Sequence, residues 1–280
     1  MRGRTAMVTG ANTGIGRQVA AALARQGGQV VMVCRSEERG RDALAEVRAA
    51  AAATGAGGGA ELLAADLASL AAVRAGAAAF LARHDRLHVL VNNAGLFSMT
   101  RQTSADGYEL TFAVNQLAPF LLTRLLLPCI DAAAPARIVN VASAAHRRAR
   151  MHWDTIDRAG SGYNGRVAYA QSKLANILFT RELSRRLDPA RCTANAVHPG
   201  VVATEIVRTA PLPVRWIFRG FGLTPVQGAE GPVRLASAPE LAAVTGRYFD
   251  RTRETVPAAA ARDDDDARRL WDLCERLTAA

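Results

Sequence analysis

The sequence predicts an α/β fold: a doubly wound parallel sheet of about seven strands with helices on both faces, forming a single domain over residues 1–280. Three observations carry that expectation. The strand-like segments are continuous apolar runs rather than alternating ones, which is the pattern of strands covered on both sides. Helical stretches separate them from the first residues onward. No composition break and no repeat of fixed period divides the chain, and the glycine patch Gly55–Gly59 reads as a surface loop.

Taken in order, Thr5–Thr9 is a short apolar run that ends in a glycine-rich turn, and Gly16–Gln26 reads as a helix. Gln29–Cys34 is β-branched and buried in character. Glu37–Ala53 is helical in pattern and stops at the glycine patch. Glu61–Ala65, Val89–Asn92, Arg137–Val141 and Cys192–His198 are further strands, with helices over Ser69–His84, Ser104–Ile130 and Tyr163–Leu187. Asp263–Asp266 opens a last helical pattern through Leu270, Trp271, Leu273, Cys274 and Leu277, where acids at a helix start complement its dipole.

Half of the residues are apolar and about a fifth charged, which excludes a disordered chain. The richest apolar stretch, Leu117–Ile130, is interrupted by Arg124, so no spanning helix is expected. The N-terminal MRGRTAMVTG is too short and polar for a signal peptide. Cys34, Cys129, Cys192 and Cys274 show neither zinc spacing nor a disulfide rhythm, which suits a reducing cytoplasm. His84 and His88 lack partners at ligand spacing, so no metal is expected. The net charge of +10 comes mostly from arginine without interleaved aromatics, and it reads as a solvated surface rather than a nucleic-acid interface.

Thr9-Gly-Ala-Asn-Thr-Gly-Ile-Gly16 lies between the first strand and the first helix. Gly10 permits a tight turn, Gly14 lets backbone approach a pyrophosphate, and Gly16 lets the helix pack closely on the sheet. The helix N-terminus offers free N–H groups to the phosphates. Glycine loops also serve as plain turns, but the strand–loop–helix context favours a dinucleotide. At the end of the second strand stands Cys34-Arg35-Ser36, with no carboxylate to repel a 2′-phosphate. Arg35 can pair with that phosphate and Ser36 can add a hydroxyl donor, so NADP(H) is the expected cofactor; the alternative is a plain surface arginine. Tyr169 and Lys173, four residues apart on a helix, share one face. A nearby ammonium favours phenolate, so the phenol could exchange a proton near neutral pH; otherwise the pair is a core tyrosine beside a solvated lysine.

The chain resembles the short-chain dehydrogenase/reductase family over nearly its full length. The resemblance rests on Thr9–Gly16, Asp66-Leu67, Asn92-Asn93-Ala94-Gly95, Asn115, Ser143, Tyr169 with Lys173, and His198-Pro199-Gly200, all in the family's order. It implies a Rossmann-type fold and a role for each position. Tyr169 would be the general acid/base and Ser143 would hold the substrate oxygen. Lys173 would lower the tyrosine pKa and hold the nicotinamide ribose. Asn115 would stabilise a water linked to Lys173 in a proton relay. Gly10, Asn12, Thr13, Gly14, Ile15 and Gly16 would cradle the phosphates. Asp66, beside Leu67, would accept from the adenine amino group. Asn93, followed by Ala94 and Gly95, would sit beneath the adenosine ribose and brace the sheet. Pro199, Gly200, Val201 and Thr204 would contact the nicotinamide carboxamide.

Ser143 and Tyr169 stand 26 residues apart, about twice the family's usual spacing. The insertion carries Met151–Asp154 and Gly162–Asn164. With Cys34–Gly40 and Ser172–Phe179 it resembles the retinol dehydrogenase-like branch, which usually prefers NADP(H) and includes relatives of light-dependent protochlorophyllide reductase. Many vertebrate members carry an N-terminal membrane anchor; none is expected here, so neither membrane residence nor retinoids are expected to carry over. His146–Gly165 is expected to wall the substrate and residues 205–223 to form a lid. The lid's Ile206, Leu212, Trp216, Phe218 and Phe221 favour a lipophilic or polycyclic substrate, unless they merely pack the lid on the domain. Its Arg208, Arg215 and Arg219 raise peripheral membrane contact as a second role. The leading expectation is a cytoplasmic, NADP(H)-dependent alcohol dehydrogenase or ketone reductase. A reductase of conjugated C=C bonds and a non-catalytic NADP(H) sensor or scaffold are the alternatives, the latter opposed by the intact acid/base set. Pairing through the two long central helices would give a homodimer or homotetramer.

Overall fold

The computed structural model describes residues 1–156, 162–202 and 222–279. Eight strands form one sheet in the order β3-β2-β1-β4-β5-β6-β7-β8. They are β1 (Thr5–Thr9), β2 (Gln29–Cys34), β3 (Gly59–Ala64), β4 (Val89–Asn92), β5 (Ala136–Val141), β6 (Cys192–His198), β7 (Tyr248–Asp250) and β8 (Arg253–Glu254). The first seven run parallel, and β8 turns back antiparallel on β7. The expected doubly wound sheet of about seven strands is borne out, with eight strands among the described residues. Only six strands were placed in the sequence; β7 and β8 hold three and two residues, too few to show a period.

Helices α1 (Gly14–Arg25), α2 (Glu37–Ala52) and α6 (Pro225–Ser237) cover one face, packing Val19, Val47 and Leu235 against the sheet. Helices α3 (Leu70–Leu81), α4 (Leu110–Ala132), α5 (Gly165–Arg186) and α7 (Asp264–Leu277) cover the other. Helix α4 is long and apolar enough to cross a membrane by composition, but 78% of its most apolar window is buried inside the fold, as a core helix requires.

Two helices start later than expected because polar side chains capture the backbone first. Ser104 Oγ accepts from the amides of Asp106 and Tyr108, holding a turn where the helical pattern begins. The Glu109 carboxylate then accepts from Thr111 N and Phe112 N and caps α4. Asn164 Oδ1 accepts from Arg166 N and Val167 N, so α5 opens at Gly165 rather than Tyr163. Asp263 caps α7 in the same way, through the amides of Asp265 and Asp266.

A buried polar chain fixes α5 on the sheet. Asn92 Nδ2 on β4 donates to Asn140 Oδ1 on β5, and Asn140 Nδ2 donates to Thr180 Oγ1 on α5. Helix α7 lies against α4 and α5, where Trp271 packs on Phe120 and Phe179 and Arg186 stands 4.2 Å from its ring centroid.

Candidate active site

Strand order reverses between β1 and β4, and ligands of such sheets bind beyond the carboxyl ends of the strands at that point. There the structure has a cleft of about 620 Å³, walled by the loops that leave β1 to β6.

At its nucleotide end the β1–α1 loop turns through Gly10 and Gly14, both at positive φ (65° and 53°), where a Cβ would be strained. A Cβ on Gly16 would stand 2.3 Å from Gly10 O, so only glycine lets α1 sit this close to its own loop. Thr13, extended at the N-cap, makes no side-chain capping bond, and the first amides of α1 face the cleft without a competitor. Asn12 and Ile15 complete this cradle, which fits a pyrophosphate. Asn93 Nδ2 donates to Thr9 O, and Thr9 Oγ1 accepts from the amides of Asn93 and Ala94, so the bracing role and the cleft position hold together.

Arg35 and Asp66 face each other across this end, Nε to Oδ1 3.9 Å, with side chains 58% and 47% exposed. That pair is weak in water and leaves the guanidinium open to a stronger anion. Asp66 Oδ1 also accepts from Ala68 N, while Leu67 lines the wall beside it. Ser36 is outside the cleft lining and caps α2 by accepting from Arg39 N, which leaves its own proton free to donate. Arg39, on the first turn of α2, takes its place in the wall.

At the other end α5 presents Tyr169 and Lys173, with Ser143 entering from the end of β5. Ser143 Oγ accepts from Ala145 N at 3.2 Å and caps a short turn, and it also bonds the Tyr169 phenol. Phe97 meets the Tyr169 ring edge-on, centroids 5.5 Å apart. Lys173 Nζ lies 5.8 Å from the Tyr169 ring centroid and donates to Val141 O at 2.8 Å and Asn176 Oδ1 at 3.2 Å. Burial lowers Lys173 to about 8. Burial also raises the Tyr169 phenol, and the Ser143 bond only partly opposes it. Desolvation thus sets the direction, and the phenol meets neutral pH protonated, as a proton donor needs.

Asn115 lies beneath the cleft rather than in its wall, within a π-helical turn over Ala113–Leu117. Its Nδ2 donates to Leu96 O and Ser172 Oγ, and its Oδ1 accepts from Leu96 N. Gly95, Pro199, Gly200 and Val201 line the cleft. Thr204 and lid residues 205–221 lie outside the described residues; Leu223 N donates to Val201 O beside them. Of the insertion, Ala144 and Ala145 reach the wall, and the described part of His146–Gly165 packs behind it. There His152 N donates to Gln171 Oε1, and Tyr163 Oη donates to Ser98 O. Sequence reasoning missed Arg39, Phe97, Val114 and Asn176. The arginine alone had a local signal, in the run Cys34–Gly40.

A sequence model of the family described as short chain dehydrogenase matches residues 4–212. Human retinol dehydrogenase 14 is 43% identical over 98% of this chain and 86% of its own length. Human dehydrogenase/reductase SDR family member 13 is 43% identical over 99% and 74%. A crystal structure of an uncharacterized protein from Mycobacterium paratuberculosis superposes with a TM-score of 0.79 at 30% identity, covering 100% of this chain and 94% of that one. A Beutenbergia cavernae protein described as an NAD(P)-dependent gluconate 5-dehydrogenase, with NADP bound at low occupancy, superposes with a TM-score of 0.71 at 30% identity over 89% and 95%.

Proposed function

The chain belongs to the short-chain dehydrogenase/reductase family, an NAD(P)-dependent oxidoreductase, and from that premise we propose that it interconverts a lipophilic carbonyl compound and its alcohol with NADP(H). One observation carries the reading: Tyr169, Ser143 and Lys173 converge at one end of a cleft whose other end offers Arg35 and Arg39. The glycine cradle, Asn93 and Lys173 would hold the dinucleotide, with the two arginines beside its 2′-phosphate. When bound it supplies or accepts the hydride.

In the reducing direction the Tyr169 phenol donates its proton to the carbonyl oxygen while the Ser143 hydroxyl donates a hydrogen bond to the same atom. The charge left on the phenolate is stabilised by the ammonium of Lys173, and solvent returns the proton. The oxidising direction runs these transfers backwards. Leu96, Phe97, Val114 and Val202 give this end an apolar wall, and the relatives named for retinol make a polyene or polycyclic substrate the first class to try.

The test is NADPH oxidation over a panel of polyene aldehydes, polycyclic ketones, conjugated enones and small sugars. Turnover is expected with the first two. Turnover confined to enones would instead assign C=C reduction, and tight NADPH binding without turnover of any carbonyl would leave a sensor.

A further inference from the structure

The chain carries 35 lysines and arginines, and Lys173 is the one lysine among them. Arginine does not give up its proton near neutral pH, so among these 35 side chains Lys173 alone can titrate there. We propose that Asn176 is the positioning residue of this site, clamping the Lys173 ammonium to the freed backbone carbonyl of Asn115.

Asn176 follows Lys173 by three residues on α5, so both sit on the same helical face, and Asn176 is only 4% exposed. Its carboxamide is used at both ends. Oδ1 accepts from Lys173 Nζ at 3.2 Å. Nδ2 donates to Asn115 O at 2.6 Å and to Gln116 Oε1 at 3.1 Å. The π-helical turn over Ala113–Leu117 makes this possible, since it shifts the backbone ladder and turns the Asn115 carbonyl toward α5. The donors on Nδ2 fix the amide's orientation and oblige its oxygen to face the ammonium. Asn176 thus couples Lys173 to Asn115, the two positions that the family resemblance links only through a water.

The surroundings make this contact the one that matters for charge. From α5, Tyr169 is the titratable group facing Lys173. Strand β5 and the turn after it offer Val141 O and the uncharged Ser143, the π turn offers Asn115 and Gln116, and Gly95 approaches from the β4 loop. His198 lines the same cleft from β6, kept neutral by burial. Among the described residues no carboxylate is paired with Lys173. Two neutral oxygens therefore hold its proton against the desolvation that lowers it to about 8.

The proposal rests on the reading of the cleft, but its test needs neither cofactor nor substrate, so the two can fail separately. The full-length chain labelled with [ε-13C]lysine gives a single side-chain resonance, because there is a single lysine. Its titration midpoint is expected at about 8 in the native protein. Asn176→Ala removes an acceptor from the charged form, so the midpoint should fall by about one unit, the scale of a hydrogen bond to a charged group. Asn176→Asp puts a carboxylate beside the ammonium, so the midpoint should rise by a similar amount. Opposite shifts in folded variants support the clamp, and shifts in one direction, or none, overturn it. If Asn176→Ala does not fold, Asn176→Asp decides alone by the sign of its shift. If neither folds, Asn176 is a core residue and the proposal falls.

Discussion

At the nucleotide end the cleft is built of backbone and exposed charge: glycines that admit a phosphate, helix amides without caps, and an Arg35–Asp66 pair half in water. At the catalytic end it is built of buried side chains whose polar atoms are nearly all engaged, Lys173 by Val141 and Asn176, Asn115 by Leu96 and Ser172. Exposed charges act additively and through solvent, so removing one costs a graded amount. Buried, mutually bonded groups act as a unit, so removing one leaves others unsatisfied. The two ends should therefore answer mutation, salt and pH differently.

The sharpest separation comes from Tyr169→Phe. It deletes only the transferable proton, so turnover should drop about 1,000-fold while the NADPH dissociation constant stays within about twofold. Turnover within about tenfold of the native enzyme would mean that another group supplies the proton. Lys173→Arg comes next. It keeps the charge but cannot reproduce a compact ammonium between Val141 and Asn176, so kcat/KM should fall about 100-fold and NADPH should bind more weakly. Full activity in that variant would show that charge alone suffices.

Arg35→Ala probes the opposite end. A charged but exposed contact predicts about tenfold weaker NADPH binding, with NADH binding unchanged, in paired fluorescence titrations. Equal losses for both cofactors would remove Arg35 from 2′-phosphate recognition. The smallest effect is a few-fold and concerns pH. Lys173, lowered to about 8, carries its charge below that pH and loses it above, so NADPH affinity should decline as pH rises through about 8. The Arg35 contribution should stay flat over that range and shrink with salt instead. Binding independent of pH would put the ribose contact elsewhere.

The nucleotide end was largely legible because its chemistry is local: Gly10, Gly14, Gly16 and Arg35 act where the chain itself places a turn or a strand end. Ser36 shows a second local use, since a serine before a helix caps it by accepting while its own proton stays free to donate. At the catalytic end the spacing showed only the Tyr169–Lys173 pair, and Ser143 and Asn115 were legible only through motif resemblance. What holds it together spans the sequence: Asn176 meets Asn115 from 61 residues away, and Gln116 Nε2 reaches Cys274 Sγ from 158. No periodicity encodes such contacts. The π turn was equally hidden, because Ala113–Leu117 has an ordinary helical composition. In the same way β7 and β8 owe their existence to the edge that β6 offers rather than to their own five residues.

Helix α7 gives the catalytic end its outer support: Trp271 covers Phe120 and Phe179, Cys274 meets the residue beside Asn115, and Tyr108 Oη bonds Leu277 O. These residues follow α5 in chain order. The sheet, the glycine cradle and α5 can leave the exit tunnel and begin to pack while α7 is still inside it. Until α7 follows, the aromatic pair on α4 and α5 lacks its cover and the π turn lacks its outer neighbour. A nascent chain thus gains a nucleotide cradle before it gains a finished proton-transfer site, because the cradle is encoded first and α7 last among these elements.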